Sequence, residues 1–289
     1  MGALFRLWLH ALSRSAFLLA GGEETAGEKL PQLIDTHTHL EELEELAAAL
    51  ERARGVGVIA LIAVGSDRES DQQVLRLSGK YGALTVYPAL GLHPGELGGM
   101  DDVAVEDTLQ LIEENISAAV AIGEIGLDYH KKVLITAPRE RQKKVFRRLL
   151  ELARKYDKPA IVHSRYSWKD AFDLVKESGL RKAVFHWYTG FSSVLREIVQ
   201  QGYFISATPA AEYHEEHRRA IKETPLERLL LETDCPVPYG RDTRYISQPA
   251  DIQRSLKAVA SLKGLEEPQV ARQTTLNAFE FFALPQGLC

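Results

Sequence analysis

Eight short, nearly unbroken apolar runs punctuate the chain from Leu33 onward: Leu33–His39, Val58–Gly65, Leu84–His93, Ala119–Leu127, Ala160–Ser164, Ala183–Trp187, Tyr203–Thr208 and Leu229–Thr233. Continuous rather than alternating hydrophobicity predicts strands buried on both faces, as in a parallel sheet covered by helices. Amphipathic stretches separate them, among them Glu41–Arg54, Arg139–Tyr156, Trp168–Ser178, Ser192–Gln201 and Glu212–Lys222. In Arg139–Tyr156, the apolar residues Val145, Leu149, Leu152 and Tyr156 keep helical spacing among charged neighbours. Pro268–Phe282 reads as a closing helix with Val270, Leu276, Phe279 and Phe282 as its packing face. Eight strand–helix units in roughly 250 residues predict one α/β domain, a closed (β/α)8 TIM-type barrel with its active site at the C-terminal ends of the strands. No G-x-G-x-x-G or Walker-type loop points to a nucleotide-binding fold instead.

Residues 1–32 form an N-terminal extension of different character from the barrel expected over 33–289. It is poor in acids until Glu23 and carries Arg6, Arg14, Ser13 and Ser15. An unstructured arm, a targeting presequence and a start placed upstream of the true one all fit that composition. In the full chain of 289 residues, 35 Lys+Arg stand against 40 Asp+Glu, a formal charge of −5. That excludes a general basic coat, so any affinity for phosphate must be local. Two cysteines, Cys235 and Cys289, make no disulfide framework and suit a reducing, cytoplasmic setting. No apolar run is long enough to predict a membrane span.

The candidate chemistry lies where the apolar runs end. Strand one reads Ile34-Asp35-Thr36-His37-Thr38-His39, and strand alternation turns both imidazoles to one side, half of a metal site. Glu124, His163, His186 and Asp234 each come late in a later run. A barrel gathers such positions at one rim although they span nearly two hundred residues. Charged or imidazole groups at the end of apolar strands are costly unless paired or bound to metal. Cys235 follows Asp234 but leaves the strand on the opposite side, which predicts a packing role.

The ordered blocks Asp35-Thr36-His37-Thr38-His39, Gly91-Leu92-His93-Pro94, Gly123-Glu124-Ile125-Gly126-Leu127-Asp128-Tyr129, His163-Ser164-Arg165, His186-Trp187-Tyr188-Thr189-Gly190 and Glu232-Thr233-Asp234-Cys235-Pro236 resemble the TatD family of metal-dependent hydrolases. The resemblance covers Leu33 to the C-terminal helix. It implies a site for two divalent cations, with His37, His39 and Asp234 on the first, His163 and His186 on the second, and Glu124 bridging. Four imidazoles with two carboxylates suit Zn, Mn or Co, and the resemblance also allows Mg. Two dications against two carboxylates leave a positive field that favours hydroxide and a phosphate or carboxylate oxygen. Asp234 is then both ligand and proton acceptor, and Glu124 shares the catalytic assignment.

Around these ligands, His93 could touch substrate or cap the turn before Pro94, and Arg165 could clamp a phosphate. Trp187 and Tyr188 could stack on a base or simply pack, and Arg241 with Arg244 would add local positive charge. Two departures from the family pattern fall here. Trp187-Tyr188 replaces a small or sulfur-bearing residue and phenylalanine, and the loop Val237–Pro249 lacks the family's Asn-containing segment. The expected activity is a phosphodiesterase that trims a nucleic-acid end, 3′ to 5′. An amide or ester hydrolase acting on acylated nucleotides and a non-catalytic metal-bound interaction protein are the alternatives. Oligomeric state is not legible.

Overall fold

The computed structural model describes residues 30–285, so the extension expected over 1–32 lies outside it up to residue 29, as does Cys289. Eight parallel strands run in barrel order: β1 (Leu33–Thr38), β2 (Val58–Val64), β3 (Leu84–Leu90), β4 (Ala121–Gly126), β5 (Ala160–His163), β6 (Ala183–Phe185), β7 (Phe204–Ala207) and β8 (Leu229–Leu231). All eight apolar runs become strands. A further short strand of this sheet, Gly79–Tyr81, lies antiparallel against β3, and Pro238–Tyr239 pairs with Tyr245–Ile246 in a separate antiparallel ribbon. The helices that follow the barrel strands are α1 (Leu46–Gly55), α2 (Arg68–Leu77), α3 (Asp102–Glu114), α4 (Arg139–Lys155), α5 (Trp168–Glu177), α6 (Ser192–Gln200), α7 (Glu215–Glu223) and α8 (Ile252–Lys263), and α9 (Glu267–Phe282) ends the fold.

Alternation along the strands sorts apolar side chains into two cores. Ile34, Ala60, Ile62, Val64, Ala89, Ala121, Ile161, Val184, Phe204 and Leu230 fill the lumen. Their neighbours, such as Leu33, Leu61, Val86, Ile122 and Val162, pack outward under the helices. Helix α9 completes the inner core with Ala278, Phe281 and Phe282, and the Phe204 and Phe281 rings meet edge to face at 5.2 Å. The packing face expected for this helix needs correction at one position. Leu276 is 55% exposed, and the buried stripe runs through Val270, Thr274, Ala278 and Phe281. The first helix also begins at Leu46 rather than Glu41, because Leu40–Glu42 forms a 3-10 turn that tucks Glu41 beside His39.

The seam between first and last strands closes beyond the end of β8. Asp234 donates its N–H to the carbonyl of His37 at 2.9 Å, and His39 donates to the carbonyl of Cys235 at 2.8 Å. Buried Asp35 reinforces the seam by accepting from the N–H of Thr233 at 2.9 Å and from its hydroxyl at 2.6 Å. Register breaks three times in the sheet, between Leu33 and Ile34, between Asp35 and Thr38, and between Ile122 and Ile125. The last two bracket His37 and Glu124, and such irregularities re-aim side chains near functional sites.

Candidate metal centre

Each of the six predicted side chains reaches the C-terminal mouth of the barrel, and Glu124 lies at their centre. Its Oε2 is 3.5 Å from His37 Nε2 and 3.8 Å from His39 Nε2. Its Oε1 is 2.7 Å from both His163 Nδ1 and His186 Nε2. Asp234 Oδ1 stands 3.5 Å from the Nε2 atoms of His37 and His39, on the Oε2 side. One carboxylate therefore divides two groups of imidazole nitrogens. Close approach of the strands permits this: a Cβ on Gly91 would come within 2.5 Å of the Glu124 backbone.

The surrounding bonds fix which ring nitrogen faces inward. His39 donates Nδ1–H to the carbonyl of Val64 at 3.0 Å, leaving the Nε2 lone pair to face His37 Nε2 at 3.3 Å. His163 Nε2 lies 3.4 Å from Asp128 Oδ2, so Nδ1 points to Glu124. His186 Nδ1 faces buried Glu232 at 3.6 Å, and the same Glu232 oxygen accepts the N–H of Trp187 at 3.0 Å. His37 Nδ1 finds no partner, and the imidazole nitrogens crowd two carboxylates at 2.7–3.8 Å, contacts that call for positive charge from protons or from cations. Proton affinities carry that mark. Burial opposes it, yet the hydrogen bond and charge of Asp234, with Glu124, push His39 up to about 9. His186 is also raised against burial, chiefly by Glu124. Burial would raise Glu124, but the imidazoles of His186, His93 and His163 hold its carboxyl well below the usual range.

The remaining predicted residues separate. His93 takes up the turn before Glu96, accepting the Gly95 N–H at Nδ1 (3.0 Å), and its Nε2 stands 3.8 Å from Glu124 Oε1. Desolvation pulls it down to about 3. Arg165 and Trp187 line a cavity of about 940 Å³ over the centre, together with His39, His93, Glu124, His163, His186 and Asp234. Tyr188 is fully buried and donates to the carbonyl of Phe191, a packing role. Arg241 is exposed on its loop and does not belong to the cavity wall. Cys235 is buried, as expected. Asp128 and Glu232, to which the sequence assigns no role, orient two of the histidines. Their signal was present in the same apolar-then-acid pattern that exposed Glu124 and Asp234. Trp187 and Asp234 hold φ values of 40° and 53°. Such left-handed geometry in residues other than glycine costs of order 1–3 kcal/mol and gathers at functional sites.

Residues 34–283 match the family of TatD related DNases. The chain belongs to that family. It is 32% identical to human deoxyribonuclease TATDN3, over 86% of this chain and 94% of that protein. It is also 32% identical to the Bacillus subtilis metal-dependent hydrolase YabD, over 87% and 99% of the two chains. The crystal structure of the TatD homologue YjjV from Escherichia coli superposes with a TM-score of 0.79 at 32% identity, covering 88% of this chain and 99% of that one. Membership makes the chain a hydrolase of the TatD type, and both the resemblance and the TIM-barrel fold expected from sequence hold. Among the described residues, no helix is long and apolar enough to cross a membrane.

Proposed function

We propose that the protein hydrolyses phosphodiester bonds at the 3′ end of DNA, using two divalent cations. His37, His39 and Asp234 would hold one and His163 and His186 the other, with Glu124 shared. The observation that carries this reading is the division of the Glu124 carboxylate, one oxygen toward each group of imidazoles. Bound there, the cations would supply a water acidified toward neutral pH and would offset charge on a phosphate. Asp234, buried beside His37 and His39, would orient the attacking water and accept its proton. His93 faces the His163 side of Glu124, where its neutral ring can hydrogen-bond a phosphate oxygen. Arg165, half exposed in the cavity wall, supplies the planar cation that grips a phosphate. The relatives named as deoxyribonucleases support DNA as the substrate.

The test pairs an elemental count with product analysis of a 5′-labelled single strand in Mn²⁺, Mg²⁺ or Zn²⁺. Two metal equivalents per chain and stepwise shortening from the 3′ end are expected, and both should fall in His163→Ala and in Asp234→Asn. Internal cuts would overturn the end-trimming reading. An intact strand with rapid turnover of an acylated nucleotide would assign the centre to carboxyl chemistry instead.

A further inference from the structure

The cavity mouth is not electrically or chemically uniform around the barrel. Exposed Glu42 follows β1, exposed Glu96 follows β3, and exposed Glu216 lies on α7, so acids guard both flanks. The sector after β5 and β6 contributes no carboxylate to the wall; beyond His186, its residues there are Ser164, Arg165, Tyr166, Trp168, Trp187 and Thr189. A polyanion leaving the metal centre meets repulsion over β1, β3 and β7 and none from the wall over β5 and β6.

That open sector carries an aromatic shelf. Tyr166 is 58% exposed and Phe191 63% exposed, large apolar side chains that burial does not account for. Tyr166 meets Trp168 edge to face at 6.0 Å, and Trp168 meets Phe191 likewise at 5.3 Å. On its other flank Tyr166 stacks with His130 at 6.1 Å, while the Arg165 guanidinium lies 5.7 Å from the tyrosine ring. The shelf is held firmly. Tyr166 adopts φ 57°, which turns the chain out of the β5 direction, and the Trp168 ring lies so close to Gly190 that a Cβ there would approach it to 2.4 Å. Tyr166 is three residues beyond His163, a span of at most about 10 Å.

From this arrangement we infer that Tyr166, backed by Trp168 and Phe191, stacks on an unpaired base of the nucleotide adjoining the scissile phosphate. Arg165 then holds the intervening phosphate, and the strand leaves across β5 and β6. The inference rests on the nucleic-acid reading above and narrows it to a single-stranded end, since a base within a duplex offers no free face. Aromatic stacking is tolerant of base identity, so the shelf confers strandedness rather than sequence preference.

The test uses the full-length protein and a nuclease-resistant phosphorothioate single strand, followed by fluorescence anisotropy. Two versions of the strand differ only by an abasic unit beside the terminal linkage. Tyr166→Ala is expected to weaken binding of the intact strand by about 5- to 100-fold, from the usual worth of one stacked base. Tyr166→Phe keeps native affinity, and the abasic strand binds native and Ala proteins alike. Equal affinity of native and Ala proteins for the intact strand overturns the shelf, as does an equal loss on both strands. Cleavage of the ordinary strand is measured in parallel. Tyr166-dependent binding without cleavage refutes the hydrolysis of DNA and leaves the shelf standing; a native protein that neither binds nor cleaves refutes both.

Discussion

Gly91→Ala is the sharpest probe of how the barrel positions Glu124. The added Cβ would lie 2.5 Å from the nitrogen and carbonyl oxygen of Glu124 and from the Gly123 carbon, where ordinary contact begins at 3.4 Å. All three are backbone atoms, so no flexible side chain can yield, and the end of β4 must move by roughly 0.9 Å. Overpacking of this kind costs about 1–3 kcal/mol, which the fold can survive. Catalysis is less forgiving, because misplacement by about 1 Å can cost about 100-fold. The expected result is a folded protein with a modestly lowered urea midpoint, a metal content below that of the native chain, and kcat/KM on a single strand down about 100-fold. Gly99→Ala, with nothing within 4 Å of the added carbon, serves as the benign control. Native-like turnover by Gly91→Ala with unchanged metal content would refute the claim that β3 sets the position of Glu124.

Glu232→Gln removes the charge facing His186 Nδ1 and is expected to weaken metal affinity about 10- to 100-fold, read by competition with a chromophoric chelator. Stripped of metal, the protein should lose stability on the alkaline side. The folded pKa of His39 is raised from 6.5 to about 9, so its stabilisation is complete below 6.5 and vanishes as pH rises through 9, a change of at most about 3 kcal/mol. Thermal melts in chelator across that window should show the fall, and saturating Mn²⁺ should abolish it; a flat profile in chelator would contradict the charge balance described. Arg165→Ala should raise KM about tenfold with a smaller effect on kcat, checked by steady-state kinetics. An unchanged KM would remove Arg165 from the phosphate path.

The barrel was legible because fully buried parallel strands need apolar residues on both faces, and eight such runs survive as eight strands. Helix onsets were less so. Glu41–Arg54 reads as one amphipathic stretch, yet its start joins a 3-10 turn, Leu40–Glu42, that sets Glu41 3.8 Å from His39. On α9, Leu276 was misplaced since the neighbouring stripe through Phe281 fits the lumen better. The six clustered side chains were readable from sequence through the expense of polar groups ending apolar strands. Tyr166 and Trp168 were not, because a loop side chain takes its direction from a backbone angle that no periodicity records. Arg241 illustrates the same limit in reverse, an exposed cation in a plausible loop that does not line the cavity.

The closure through Asp234, His37, His39 and Cys235 ties two properties that most barrels keep apart. Cutting or permuting the chain near residue 39 or 235 removes the stitches that shut the cylinder and, in the same stroke, frees His37, His39 and Asp234 from their places beside Glu124. New termini placed in the turn between α5 and β6, near Gly179, spare both. Closure of the cylinder and one half of the cluster around Glu124 are therefore inherited together at one edge of this molecule, while turns on the opposite rim, such as that at Gly179, can vary without touching either.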